Sequence, residues 1–380
     1  LSQIETKSEG VEGRRAVLAL KVQRGAGIGN IGSSGTLPTA GNAGYAEERV
    51  STYQITGRGQ INGDVIKKMK SDRGSFLRAV SSEMEDVTEG VKRDFNRQLW
   101  GTSDGVIATC TVSTTGQTTV LLASATSLVK MQQFEEGMRV DIGTVAEATA
   151  QTGGPTYGNA IVSVDEDALS FVVTSNLGSA TAATDFVFRA GNGGTAPQLE
   201  LTGLQTIVDS SGTLHNVNPA TYGLWKSIEL SNSGTLRPIS DELIGQLMHR
   251  VQRKSGLMSG SQYVLASSDA VFRAYGATLT AQKRFATVDL KGGFKGLEVL
   301  AGGDPVALKW ERDCPESSMF YLNTDHISLA AESDWEFMDE DGAVLSRVAN
   351  KHAYEFTLFR LAEQFTDQRN AHGKILDIQI

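Results

Sequence analysis

The chain has 380 residues, 40% of them hydrophobic and 21% charged, with 35 basic against 44 acidic side chains and a net charge of -9. This mixture buries a sizeable core, in about two to three domains, and excludes wholesale disorder. Two cysteines, Cys110 and Cys314, exclude a disulfide or zinc scaffold and fit a reducing compartment, and no apolar run approaches the roughly 18 residues that span a bilayer.

The opening LSQIETKSEG has no secretory pattern, and its first residue is Leu1, as expected of a chain shortened or matured by proteolysis. Glycine, 41 residues against 7 prolines, concentrates at 25–44 (GAGIGNIGSSGTLPTAGNAG), a stretch with neither helical nor strand period and therefore a predicted long loop. Its flanks, 15–24 (RAVLALKVQR) and 48–61 (ERVSTYQITGRGQI), are rich in Val, Ile, Thr and Tyr and are predicted strands. Together they make a two-stranded arm with a loose tip. An isolated hairpin is marginal in water, so the arm is expected to find its partners on another molecule.

From 73 to 100, Phe76, Val80, Met84, Val87, Val91, Phe95 and Leu99 recur at steps of three or four. The spacing predicts one amphipathic helix about 40 Å long, a spine, with Glu83, Glu85, Asp86, Glu89, Lys92, Arg93 and Arg97 on its solvated faces. Between 106 and 198 the texture changes to short apolar runs (VIATCTV, TTVLLA, MRVDI, AIVSV, LSFVVT, DFVFR) separated by Thr, Ser, Gly and Ala, which predicts an inserted all-β domain, a small barrel or sandwich. Residues 101–200 carry 3 basic and 10 acidic side chains, net -7, whereas 1–100 carry 15 and 12, net +3. The arm and spine are thus the expected neighbours of a polyanion, and the insert is expected outside or between subunits.

After Gly203 the pattern is mixed α/β. Asn218-Pro219 is expected to cap a short helix. Ser240 followed by DELIGQLMHRVQRKSG has the acidic first turn, basic last turn and glycine stop of a surface helix. A strand at 263–267, a helix at about 269–283 and strands near 297–300 and 306–310 follow. The run 352–364 is apolar on both faces and reads as a central, buried strand.

No catalytic constellation emerges. Gly27, Gly29 and Gly32 form G-x-G-x-x-G after a strand, with Glu47 and Glu48 downstream, yet no helix follows to supply the free amides that hold a pyrophosphate. His215, His249, His326, His352 and His372 are scattered, unpaired with acids, and read as structural. The cysteines lack an activating neighbour, and the acidic runs at 165–167 and 339–341 read as turns. No cofactor or metal is expected, and no enzymatic activity.

The order of elements carries a resemblance. A two-stranded arm with a Leu-Pro tip, a spine helix ending in LWG, a mixed second half containing FKGLEVLAGGDPV, and the closing KHAYEFTLFRLAEQFTDQRNAHGKILDI resemble the major capsid proteins of tailed bacteriophages, the Hong Kong 97 fold family. The resemblance implies an α+β fold divided into an N-terminal arm (1–13), an extended loop (14–63), a peripheral domain with the spine helix (64–105), the inserted β domain (106–200), an axial domain (201–333) and peripheral C-terminal strands (334–380).

It also implies a subunit that self-assembles into hexamers and pentamers of an icosahedral shell around double-stranded DNA, bound without sequence specificity. Such a subunit resides in the virion capsid, and in the host cytoplasm during assembly. Its implied partners are a scaffolding segment, a maturation protease, portal and decoration proteins, and no membrane. Arg24, Leu37, Pro38, Tyr45, Arg49 and Arg58 on the extended loop are the expected contacts with neighbouring subunits. Some members crosslink a loop lysine to a neighbour's asparagine, but no lysine lies between Val22 and Val65 here, so no such crosslink through the loop is expected. The alternatives are an encapsulin-like compartment, a β-rich carbohydrate-binding or adhesion protein, which should lack the spine helix, and a hydrolase, which should show a convergent acid, base and nucleophile.

Overall fold

The structure, a computed structural model, describes residues 5–7, 11–12, 15–33, 35–64, 73–111, 116–123, 131–143, 158–177, 185–192, 198–256, 262–283, 297–300, 305–339 and 342–380. The side chain of Phe76, the acidic pair Glu340 and Asp341, and most of FKGLEVLAGGDPV lie outside the described residues.

The spine helix runs Arg73–Trp100. Its apolar stripe lies on a mixed sheet whose centre is the long strand Ala353–Thr366. That strand pairs antiparallel with Tyr53–Asn62 on one side and Ile327–Ala331 on the other, and the parallel strand Glu5–Lys7 follows Ile327–Ala331. Val91, Leu99, Ile55, Leu329, Leu358 and Ala362 are buried together, with Val87, Phe95 and Trp335 packed around them. The strand is buried on both faces over 362–366 and half-buried over much of 354–361. Gly57 sits where Val91 of the helix presses on the strand, and a Cβ there would collide with the Val91 side chain.

The arm differs from its sequence reading. Arg15–Gln23 pairs antiparallel with Gly44–Ser51, whereas the next strand, Tyr53–Asn62, belongs to the body sheet. Thr52 separates the two. The alternation of 48–61 continues through both strands, so the local pattern is blind to the change of partner. What separates them is the spine helix, against which Ile55 is buried.

Strands between 106 and 189 pair only with one another among the described residues, in the order Val106–Thr109, Phe186–Arg189, Arg139–Gly143, Asn159–Asp165, Ser170–Val173 and Thr119–Leu121. The first and last of these are joined by a bridge between Cys110 and Leu122, so the sheet closes into a small barrel and removes its own edges. Its interior holds Ile107, Val120, Met131, Phe134, Val140, Ile161, Phe171 and Val187.

The remaining sheet, in the order Ile228–Leu230, Gly373–Ile375, Met319–Asn323, Tyr263–Ser267, Pro305–Trp310 and Leu297–Leu300, is covered on one face by the helix Asp241–Ser255. Ser240 caps that helix by accepting from the Leu243 amide, and Gly256 ends it in a left-handed conformation, φ 75°. A second helix, Asp269–Lys283, contributes Val271 and Tyr275 to the same core. Asn218 caps only turns: its side chain accepts from the Ala220 amide, and no helix continues from it. The short helix of this region is instead Leu204–Ile207.

Candidate assembly surfaces

The root of the arm packs on the body through Leu20, Val22 and Val50, but its outward face and tip leave apolar side chains uncovered. Ile28 is 89% exposed, Leu37 76% and Tyr45 66%, and Val17 and Ile31 are more than half exposed. Between the strands the loop turns back on itself. Its two legs pass backbone to backbone: a Cβ on Gly27 would lie 2.7 Å from the Gly41 nitrogen. The tip is therefore narrow and uncharged, with its side chains splayed into solvent.

Of the six residues expected to contact neighbours, Leu37, Pro38 and Tyr45 stand on this arm, exposed, and Arg24 is exposed at the end of its first strand. Arg49 also lies on the arm, paired with Glu47 at 2.8 Å, and its amide donates to the carbonyl of His215 at 3.1 Å. Arg58 lies apart from them, on the body sheet, in an ion pair with Glu355. Five of the six thus lie along the arm.

Two clusters of buried charge tie the appendages to the body, and the sequence reading missed both. The first corrects Arg97, which is not on a solvated face but 7% exposed. Its Nε donates to Asp94 Oδ1 at 2.9 Å, and its Nη1 to Glu200 Oε2 at 3.1 Å. Arg189 of the barrel lies 3.1 Å from Asp94 Oδ1. Gln98 donates to Asp94 Oδ2 at 2.8 Å, and Asn192 to Glu200 Oε1 at 3.2 Å. Burial opposes the charge on Arg97, but Asp94 and Glu200 outweigh it and hold the guanidinium above its ordinary range. Burial likewise opposes the Asp94 carboxylate, and Arg97 with Arg189 outweighs that and keeps it below the usual range.

The second cluster corrects the histidine reading, for His215 is paired with acids. It occupies a two-residue turn in which Leu214 and Val217 exchange backbone hydrogen bonds, and both His215 (φ 42°) and Asn216 (φ 74°) have positive φ. The turn aims the imidazole between Glu48 on the arm and Glu363 on the long strand, with Nδ1 2.8 Å from Glu48 Oε1 and Nε2 3.5 Å from Glu363 Oε1. Both glutamates are fully buried. His326 is also paired, with Asp367 at 2.8 Å. A signal was present in the sequence: Glu48 shares a face with Val50, and Glu363 falls within a strand apolar on both sides, so each is an acid at a core position that needs a partner.

A groove of about 800 Å³ runs between the spine helix and the barrel, lined by Glu85, Glu89, Lys92, Arg93, Glu135 and Asp313 among others. Within it Arg93 pairs with Glu135, and Asp313 accepts from Asn96 and Gln133. Among the described residues no group of three His, Cys, Asp or Glu is placed to hold a metal ion, and both cysteines are buried and free. Burial pushes the Cys110 thiol up to about 12 and Cys314 well above its usual value, the opposite of what a nucleophile needs.

Among solved structures, a chain of the cyanophage A-1(L) capsid asymmetric unit matches over 99% of this chain and 90% of that one, with a TM-score of 0.58 at 15% identity. The fold is that of a phage capsid chain. A chain of the native GTA particle capsid matches over 100% of this chain and 89% of that one, with a TM-score of 0.49 at 9% identity. No protein-family model and no curated protein matches the chain. The α+β architecture expected from the resemblance is thus that of the cyanophage capsid chain.

Proposed function

We propose that the chain is a major capsid protein, the repeating subunit of an icosahedral shell of hexamers and pentamers that encloses the double-stranded DNA of a tailed phage. The observation that carries this reading is the fold shared with the cyanophage capsid chain over nearly the whole length of both. The arm supports it, since Ile28, Leu37 and Tyr45 remain largely exposed in their own chain. A closed symmetric lattice covers such surface on every subunit by repeating one contact.

In this reading Arg24, Leu37, Pro38, Tyr45 and Arg49 touch a neighbouring subunit, and Arg58 does so beside its own partner Glu355. The acidic barrel faces outward or lies between subunits, away from packaged DNA. Scaffolding, protease, portal and decoration partners belong to the same proposal, as do a virion location and assembly in the host cytoplasm.

The test is assembly. Purified subunits followed by light scattering and electron microscopy are expected to give closed particles, and Leu37→Asp with Tyr45→Ala is expected to leave soluble subunits that do not assemble. A subunit that stays monomeric under every condition, with a protease-resistant arm, overturns the reading. Nucleic acid rather than a protein cargo inside particles recovered from cells separates a viral shell from an encapsulin-like compartment.

A further inference from the structure

The contact between His215 and its two carboxylates constrains its protonation. A neutral imidazole carries one N–H and one lone pair, whereas the imidazolium carries two N–H donors. Here each ring nitrogen faces a buried carboxylate, Nδ1 that of Glu48 and Nε2 that of Glu363. Nδ1 is within hydrogen-bond distance of Glu48, whereas Nε2, 3.5 Å from Glu363, makes an ion-pair contact without a hydrogen bond; only the charged ring turns an N–H towards both, and a neutral ring turns a lone pair towards one of them.

The two glutamates are not equally held. Glu363 lies on the central strand of the body sheet, and its Oε1 also accepts from the Thr202 amide at 2.9 Å. Glu48 lies on the arm strand, and neither its Oε2 nor that of Glu363 accepts a hydrogen bond. Besides the Glu48 contact, the same turn holds the arm through the Arg49 amide on the His215 carbonyl. Four residues beyond Glu48, Thr52 marks the change from arm sheet to body sheet.

The other charges around the ring do not replace it. Arg49 is turned outward to Glu47. Arg369 is committed to the carbonyls of Thr206, Ile207, Ser211 and Gly212. Asp367 adds negative charge near Glu48, and Tyr53, close to Glu363, offers a neutral hydroxyl.

We propose that His215 is a protonation-dependent pin: as imidazolium it clamps the arm root to the body, and on losing its proton it loosens the root strand between Glu48 and Thr52, while Leu20 and Val22 of the facing strand stay packed against the body. Burial works against the charged ring, but Glu363 and Glu48 outweigh it and push the pKa up to about 9. A base whose pKa is raised in the clamped state stabilises that state fully below its free value of about 6.5 and loses the contribution as pH rises through 9. The clamp therefore holds at neutral pH and opens in mild alkali. The proposal does not depend on the shell reading, since the unassembled subunit contains every group involved.

Hydrogen exchange of the full chain in dilute solution, with labelling times scaled to the intrinsic exchange rate at each pH, tests it. Protection of Gly44–Ser51 is expected to fall tenfold or more between pH 6.5 and 9.5, with the midpoint of the decline between 6.5 and 9 and a plateau above 9, while the barrel strands stay unchanged. His215→Asn suits a positive-φ turn and removes the charge; it is expected to leave the arm root poorly protected at every pH. Glu363→Gln keeps an acceptor for the Thr202 amide but removes one attracting charge, and is expected to move the midpoint to lower pH. Flat protection in the unaltered chain, or an unaltered pH profile in His215→Asn, overturns the proposal. If His215→Asn does not fold, an unmoved midpoint in Glu363→Gln overturns it and a lowered one supports it.

Discussion

The arm and the barrel are both tied to the body by buried charge, yet their joints differ in chemistry. At the barrel joint all four carboxylate oxygens of Asp94 and Glu200 accept hydrogen bonds, from Arg97, Gln98 and Asn192. The central cation is a guanidinium, which keeps its charge at any ordinary pH. At the arm joint two carboxylate oxygens accept nothing and the central cation is an imidazole. A saturated, non-titrating cluster fixes an angle. An unsaturated, titrating one holds its strand tightly only under some conditions, which suits a segment whose tip carries uncovered apolar side chains.

The largest test of this contrast is to remove the cation from the saturated joint. Arg97→Met leaves Asp94 and Glu200 buried without it and is expected to cost about 3–5 kcal/mol, read by urea denaturation, or to prevent soluble expression. Adding Glu200→Met is expected to recover part of that loss, because an apolar pair leaves fewer unpaired charges. A single variant as stable as the unaltered chain breaks the comparison.

Next in size is an unpaired charge on the same helix. Val91→Asp or Phe95→Asp places a carboxylate on the stripe packed against Ile55, Leu358 and Trp335, and about 3 kcal/mol of stability should be lost. If either matches the unaltered chain in denaturant, buried charge is cheap here and the pairing at Arg97 means little.

A third histidine sharpens the comparison from the other end of the pH scale. His372 is buried, with Nε2 3.0 Å from Thr366 Oγ1 and Nδ1 accepting from the Asn323 amide at 3.2 Å. Burial pushes its pKa down to about 3. A base with a lowered pKa favours the fold above its free value, about 6.5, and that contribution drains away as pH falls towards 3. Global stability is thus expected to decline in acid by on the order of a few kcal/mol, and His372→Gln to flatten part of that decline. Stability that is level from pH 6.5 to 4 contradicts this.

Smaller still is the effect of replacing 106–198 with a short Gly/Ser linker. The barrel has its own interior, and Asp94, Arg97 and Glu200 all lie outside the deleted stretch, so the shortened subunit should remain soluble with a modestly lower Tm. Insolubility would mean that the barrel shares the body's core. At the bottom of the scale, Glu89→Gln on the exposed side of the spine should change neither stability nor assembly measurably.

Much of the fold was legible without coordinates. The spine helix follows from seven apolar residues at steps of three or four, and the helix at Asp241–Ser255 from its Ser240 cap and Gly256 stop. The central strand follows from an apolar run without alternation. Each of these is a local pattern, decided by residues within a few positions of one another, and the order of such patterns was enough to suggest the capsid fold.

The tertiary structure alone decided which strand is arm and which is body at Thr52, because both continue one alternation and differ only in what lies across from them. It also decided that Arg97 is buried against Glu200, and that Glu48, His215 and Glu363 meet. Helical phase places Arg97 beside polar neighbours, and only a barrel folded back onto the spine turns that face inward. For the histidine, three residues separated by more than a hundred positions each way converge through a turn whose backbone gives no hint of its target. Local periodicity determines which side of an element is apolar; the matching of buried charges depends on where distant elements finally pack.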